Sequence, residues 1–174
     1  MTKHILVTYA TRAGSTAEVA REIARVLGMH DFVVDVKPIK EKPQLSSYQA
    51  VVLGSAIRMA AWLPEALEFI QNNQEPLARL TAAIFTVHML NTGADKASRQ
   101  ARQAYTIPVR ELMTPVDEVF FAGKLDYARL SFFDRLIARA LEEQTGSYPA
   151  DLRDWDGIHA WAAALPPALL SDPV

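Results

Sequence analysis

Two stretches of this chain are short, β-prone and almost wholly apolar: Ala50-Val51-Val52-Leu53-Gly54 and Ala82-Ala83-Ile84-Phe85-Thr86-Val87. A strand without polar alternation is buried on both faces, so it needs a helical layer above and below it. Ile5–Tyr9 is a run of the same kind, and Phe32–Val36, closed by Pro38, and Val116–Phe121 are further strand-like segments. Segments with helical spacing lie between them. Gly14–Leu27 puts Val19, Ile23, Val26 and Leu27 on one face, and Leu63–Asn73 opens with Pro64. Asp95–Leu112 is expected to break or kink at Pro108. Ser131–Glu143 carries Phe132, Phe133, Leu136, Ile137 and Leu141 at helical intervals, and Trp155–Leu165 is the last helix expected. Lys40–Tyr48 holds at most a turn or two of helix, and an irregular tail is expected from about Pro166. The alternation predicts an α/β fold in a single domain over residues 1–174: a five-stranded parallel sheet with helices on both faces, plus an extra helical segment after strand five.

Composition narrows the chemistry. With no cysteine among the 174 residues, thiolate catalysis, disulfides, Fe–S clusters and Cys-ligated zinc are excluded. His4, His30, His88 and His159 are scattered without ligand spacing, so no metal site is expected. A net charge of -2 shows no bias toward nucleic acid. The apolar run after Lys3 and His4 is about six residues long, too short for a signal peptide or a membrane span. A cytoplasmic location is the default expectation.

In such a sheet the ligand lies outside the carboxyl ends of the strands, so the loops there carry the function. The first is Thr11-Arg12-Ala13-Gly14-Ser15-Thr16, which runs straight into a helix. Loop N–H groups and the free N–H groups of the helix converge on one point, and the helix dipole favours an anion there. Thr11, Ser15 and Thr16 offer hydroxyls to the same oxygens, and Gly14 allows close approach. A single glycine rules out the dinucleotide fingerprint, and no Gly-Lys-Ser/Thr follows. A monophosphate site and a plain helix cap by Ser15 or Thr16 both fit these residues.

After the third strand come Ala56, Ile57, Arg58 and Met59, then Trp62, which together can wall a flat apolar ring, with Arg58 balancing negative charge on it; Met59 and Trp62 equally suit the core beneath the next helix. After the fourth come Val87, His88, Met89, Leu90 and Asn91, with Gly93. His88 is either an ordinary hydrogen-bonded strand end or, with the loop's amides, a reader of ring heteroatoms. After the fifth come Gly123, Lys124, Leu125 and Tyr127, where glycine permits close approach and the tyrosine can stack or pack. No residue stands out as an acid–base catalyst, which suits chemistry carried by a bound cofactor.

Tyr9-Ala10-Thr11-Arg12-Ala13-Gly14-Ser15-Thr16 resembles the FMN phosphate loop of flavodoxins. Gly54-Ser55-Ala56-Ile57-Arg58, Phe85-Thr86-Val87, Ala122-Gly123-Lys124-Leu125 and the Tyr127…Phe133-Asp134-Arg135 segment resemble the bacterial quinone-dependent protoporphyrinogen oxidase branch of the flavodoxin-like family, from about Lys3 to about Trp161. The resemblance implies FMN. Thr11, Arg12, Ala13, Gly14, Ser15 and Thr16 would hold its phosphate, and Ala56–Met59, Val87–Asn91 and Gly123–Tyr127 would line its ring. It further implies electron flow from protoporphyrinogen IX through the flavin to a respiratory quinone, with peripheral contact at the inner membrane face. Three departures stand out: Ala13 sits where many flavodoxins have a hydroxyl residue, Ser131–Gln144 sets Arg135 and Arg139 against Asp134, Glu142 and Glu143, so it is not basic overall, and the loop Asn91–Arg102 differs from the family pattern.

Two other readings belong to different classes. A flavodoxin-type electron carrier is usually strongly acidic, to steer basic partners toward it, and a charge of -2 is a poor match. A binding protein that has lost its cofactor finds its one hint in Ala13. The phosphate-site reading is tested by Thr16→Ala, which should weaken FMN binding by about 1 kcal/mol or more, the loss of a hydrogen bond to a charged group. Flavin titration that finds unchanged affinity counts against it.

Overall fold

In a computed structural model, the structure describes residues 3–125 and 151–171, together with positions 132, 135, 136, 139, 142 and 143. The chain opens with β1 (His4–Ala10) and α1 (Ser15–Leu27), then β2 (Val33–Pro38). β3 (Ala50–Arg58) turns back on itself through a short β4 (Ala61–Trp62) and leads into α2 (Pro64–Asn72) and α3 (Gln74–Leu77). β5 (Thr81–His88), α4 (Lys96–Tyr105), α5 (Ile107–Leu112) and β6 (Asp117–Ala122) follow, and α6 (Trp155–Ala164) and α7 (Pro166–Leu170) close the chain.

The expected parallel sheet is present, in the order β2-β1-β3-β5-β6, with β4 added antiparallel to β3. Its continuous apolar strands follow from a core on each face. Ile5, Val7, Val52, Phe85 and Val87 pack with Val19, Ile23, Ile158 and Leu165, under α1 and α6. Leu6, Val51, Leu53 and Ile84 pack with Leu63, Ala66, Ile70 and Val109, under α2 and α5. Successive residues of one strand thus feed opposite cores, so the buried stretches of β1, β3 and β5 are apolar apart from Thr8, Ser55, Thr81, Thr86 and His88. The order reverses between β1 and β3, because the chain steps one way to β2 and then crosses back. In sheets of this kind ligands bind at the carboxyl ends beside such a switch point.

Pro108 acts as expected on the long segment 95–112. It stands at the second position of α5, where its missing N–H costs nothing, and the chain breaks at Thr106. Lys40–Tyr48 holds the end of one 3-10 turn, Ile39–Glu41. The expectation of an irregular tail from Pro166 is corrected. Pro166–Leu170 is helical, and its Leu169 is fully buried against the α1–α6 core. Two prolines at a helix start read as a breaker in sequence, yet they are pre-set for a first turn. Of the segment Ser131–Glu143, only the six positions named above are described, and they are helical.

Gly54 is demanded by packing. A Cβ added there would lie 2.0 Å from Cζ of Phe85, its registered neighbour on β5, and Phe85 is itself fully buried. Gly54→Ala should therefore destabilise the fold by about 1–3 kcal/mol, the cost of overpacking a filled core. Urea unfolding with the midpoint unchanged would contradict this packing.

Candidate functional site

Four strand ends stand side by side: Ala10 is paired with Ser55, Ala56 with Val87, and His88 with Ala122. The loops that leave them form one rim.

At β1 the chain turns into α1 through Gly14, the N-cap, at φ 94 and ψ -13, a left-handed conformation that other residues adopt only under strain. Among the described residues no side chain caps this helix, so Ser15 and Thr16 are not caps. By contrast, Asp95 accepts the Ser98 N–H (2.9 Å) at α4, and Asp154 accepts the Gly157 N–H (3.0 Å) at α6. Among the described residues the buried hydroxyl oxygens of Thr16 and of Thr8, within β1, have no hydrogen-bond partner, and Thr16 is the one at the helix terminus. Buried hydroxyls are rarely left so. An uncapped amino end beside an orphan hydroxyl fits an anion better than it fits a closed cap. The Gly14 N–H meanwhile donates to Thr11 Oγ1 at 3.0 Å, which folds the loop on itself.

The Arg12 guanidinium donates to both carboxylate oxygens of Glu65 at the start of α2, and this pairing holds the Glu65 carboxyl below the usual range. The loops after β1 and β3 are thereby strapped together. A cavity of about 440 Å³ lies on the β2 side of this strap, lined by Thr11, Arg12, Arg21, Ile39, Lys40 and Glu65 among others. Among the described residues, none of those expected to face a ring lines it.

The hairpin after β3 was not foreseen. Ile57 pairs with Trp62 and Arg58 with Ala61, around Met59 and Ala60 at φ 51 and 59. Two left-handed residues in a two-residue turn are usually Asn and Gly, so Met59-Ala60 hid the turn. Met59 is 93% exposed at its tip. Trp62 is in the core, 1% exposed, and donates from Nε1 to Thr86 Oγ1 at 2.9 Å. Of the two places open to it in the sequence, wall or core, it takes the core; Ala56, Ile57 and Arg58 lie on the strand leading to the tip. Ser55 Oγ accepts from the Leu63 N–H at 3.0 Å and fixes the base of the hairpin to α2.

At β5, Val87 is buried, and His88 is buried between the rings of Tyr105 and Phe120. His88 Nδ1 lies 2.7 Å from the Leu90 carbonyl, which can only accept, so Nδ1 carries the proton. Burial pushes the pKa of His88 below its ordinary value, so the ring is neutral. Asn91, at φ 60, donates from Nδ2 to the Tyr105 hydroxyl at 2.6 Å, and Arg102 donates to the carbonyls of Asn91 and Gly93. The loop Met89–Gly93 is thus clamped by His88, Tyr105 and Arg102. Neither Tyr105 nor Arg102 was singled out in the sequence, where both read as ordinary positions of a helix.

At β6, the Gly123 N–H donates to the His88 carbonyl (2.8 Å) and the Gly123 carbonyl accepts from the Leu152 N–H (3.0 Å). A Cβ on Gly123 would stand 2.8 Å from Val87, 3.3 Å from the Met89 sulfur and 3.4 Å from Ser15 Oγ. The phosphate-type loop and two of the ring loops therefore converge at this bare glycine. Lys124 forms an antiparallel bridge with Asp151, next to Leu125. Tyr127 and Asp134 lie outside the described residues, and Arg135 is exposed on a helical turn.

A parallel sheet whose switch point is rimmed by an uncapped helix terminus and three loops has the flavodoxin architecture. A family model described as a flavodoxin domain matches residues 6–150, and the chain belongs to that family. It is similar to the protoporphyrinogen IX dehydrogenase [quinone] of Escherichia coli strain K12, at 26% identity over 167 residues, covering 90% of this chain and 91% of that one. The protein of the same name from Leishmania major is 28% identical over 177 residues, covering 94% of this chain and 76% of its own length. Among solved structures, a flavodoxin from Streptococcus pneumoniae TIGR4 matches with a TM-score of 0.55 at 12% identity, covering 94% of this chain and 98% of that one. A point mutant of a flavodoxin from Pseudomonas aeruginosa gives 0.51 at 13%, covering 82% and 95%. These two likenesses establish the shared fold.

Asp151 beside this rim gives a pH test. Its carboxylate accepts from Arg153, which lowers its pKa from 3.8 to about 2. Because the folded pKa is the lower one, its stabilising contribution is complete above pH 3.8 and is lost as pH falls toward 2. Asp151→Asn should be less stable than the parent at neutral pH, and the gap should close across that acidic window. A gap that persists unchanged to the acid end contradicts the pairing.

Proposed function

We propose that the chain is an FMN-dependent oxidoreductase that takes electrons from a reduced tetrapyrrole of the protoporphyrinogen class and delivers them to a quinone. FMN, the flavin of the flavodoxin domain, is the cofactor. The residues fit it. The open end of α1 with the orphan hydroxyl of Thr16 suits a phosphate, and Gly123, whose missing Cβ would meet Val87, Met89 and Ser15, lets the loop after β6 pack against the loops after β1 and β5.

In this reading the backbone of Thr11–Thr16, with the hydroxyls of Ser15 and Thr16, holds the phosphate. The side chain of Arg12 braces the loop through Glu65. Ala56, Ile57, Arg58 and Met59 cover one side of the ring, Val87–Asn91 and Gly123–Leu125 the other, and Tyr127 belongs to the same set. When bound, FMN supplies the electron exchange. The chain's own part is to bind, orient and shield. His88, neutral and with its proton on Nδ1, holds the Leu90 carbonyl and so fixes the loop that meets the ring edge. Arg58 contributes positive charge near a ring that gains electrons.

The likeness to proteins named protoporphyrinogen IX dehydrogenase [quinone], over at least nine-tenths of this chain, carries the substrate assignment. A quinone acceptor points to a membrane surface. Among the described residues no helix is long and apolar enough to cross a membrane. Phe132 and Leu136, 79% and 54% exposed and one helical turn apart, support peripheral contact from the cytoplasmic side. A second reading, a flavodoxin-type carrier, has the fold in its favour but not the charge of -2.

Purified holoprotein mixed anaerobically with protoporphyrinogen IX should show bleaching of the flavin absorbance, and recovery on adding a quinone. A flavin that this substrate never bleaches contradicts the proposal.

A further inference from the structure

Glu18 is the one acidic residue in the first turn of α1, and its N–H donates to the Gly14 carbonyl at 3.2 Å. A carboxylate here complements the helix dipole. It also competes for the same positive end with the dianion that the loop is built to receive.

The structure sets a cation against it from 135 residues away in the chain. Arg153 donates from Nη1 to Glu18 Oε2, and its side chain is only 7% exposed. Its Nε and Nη2 grip the two oxygens of Asp151 at 2.8 and 2.7 Å, and its guanidinium lies 4.6 Å from the centre of the Trp155 ring. A planar cation held on three sides has one orientation, and these bonds strengthen its hold on its proton. The same short segment also closes the exit of β6. Asp151 bridges to Lys124, and the Leu152 N–H donates to the Gly123 carbonyl.

We propose that Arg153 is a positioning residue for the flavin phosphate: it offsets the charge of Glu18 at the open end of α1 and buckles that end to the Gly123–Lys124 loop. This rests on the flavin reading above. Arg153 need not touch the cofactor. It keeps the helix terminus attractive to a dianion and keeps two walls of the site in register.

The test compares FMN with riboflavin, which lacks the phosphate, by fluorescence titration. Arg153→Met should lower FMN affinity by about tenfold or more, the scale of one uncompensated charge beside a dianion, and change riboflavin affinity little. Glu18→Gln/Arg153→Met should recover most of the lost FMN affinity. Glu18→Gln alone leaves the packing of Arg153 in place and should raise FMN affinity selectively, so the inference stays testable if Arg153→Met fails to fold. Equal losses for both ligands, no recovery in the double variant, or no gain from Glu18→Gln would overturn the role of Arg153 and leave the flavin reading standing. A parent protein that binds riboflavin and FMN equally weakly would overturn the flavin reading and this inference with it.

Discussion

The architecture depends on β1 being paired on both edges and buried on both faces. Its neighbours β2 and β3 run parallel to it, so both must be reached by crossovers, and these leave the sheet in opposite directions. The carboxyl end of β1 therefore faces the switch point, and α1 begins there with no side chain to satisfy its first N–H groups. The site is a consequence of topology before it is a matter of particular side chains. Gly14, in a left-handed conformation, lets the strand turn into the helix within a few residues.

Around that fixed end, the other loops are held by polar fasteners rather than by the core. Arg12 with Glu65 joins the first loop to α2, and Ser55 ties the hairpin base to the Leu63 N–H. His88, Tyr105 and Arg102 clamp the loop after β5, and Arg153 joins α1 to the exit of β6. Each fastener bridges different elements, so each can shape the site without altering the sheet. A half-exposed ion pair such as Arg12–Glu65 adds little stability. The value of these fasteners lies in fixing which loop atoms face the ligand.

Much of this was legible in the sequence, for identifiable reasons. Strands buried on both faces carry continuous apolar runs, so β1, β3 and β5 announce themselves, and Pro108 marks the break between α4 and α5 by its missing N–H. The first loop was readable because hydroxyls and one glycine between strand and helix have few uses. Whether it was a cap was not readable, since Ser15 and Thr16 serve either role, and only geometry shows the helix uncapped. The hairpin at Met59-Ala60 was hidden because neither residue advertises a left-handed conformation. The place of Trp62 stayed open between ring wall and core, because a tryptophan near a ligand loop looks the same in sequence whether it faces the ligand or, as here, Thr86. Arg153 and Glu18 were invisible as a pair, because long-range ion pairs leave no periodic trace.

The central claim is that a flavin phosphate sits at the open end of α1. A crystal structure of the protein grown with FMN tests it most directly. The account predicts phosphate density against the N–H groups of residues 12–16 and the Thr16 hydroxyl, the Thr11–Gly14 hydrogen bond opened to admit it, and the ring between the β3 hairpin and the loops after β5 and β6. Density for the flavin elsewhere, or a site still closed by that hydrogen bond at saturating FMN, would contradict it.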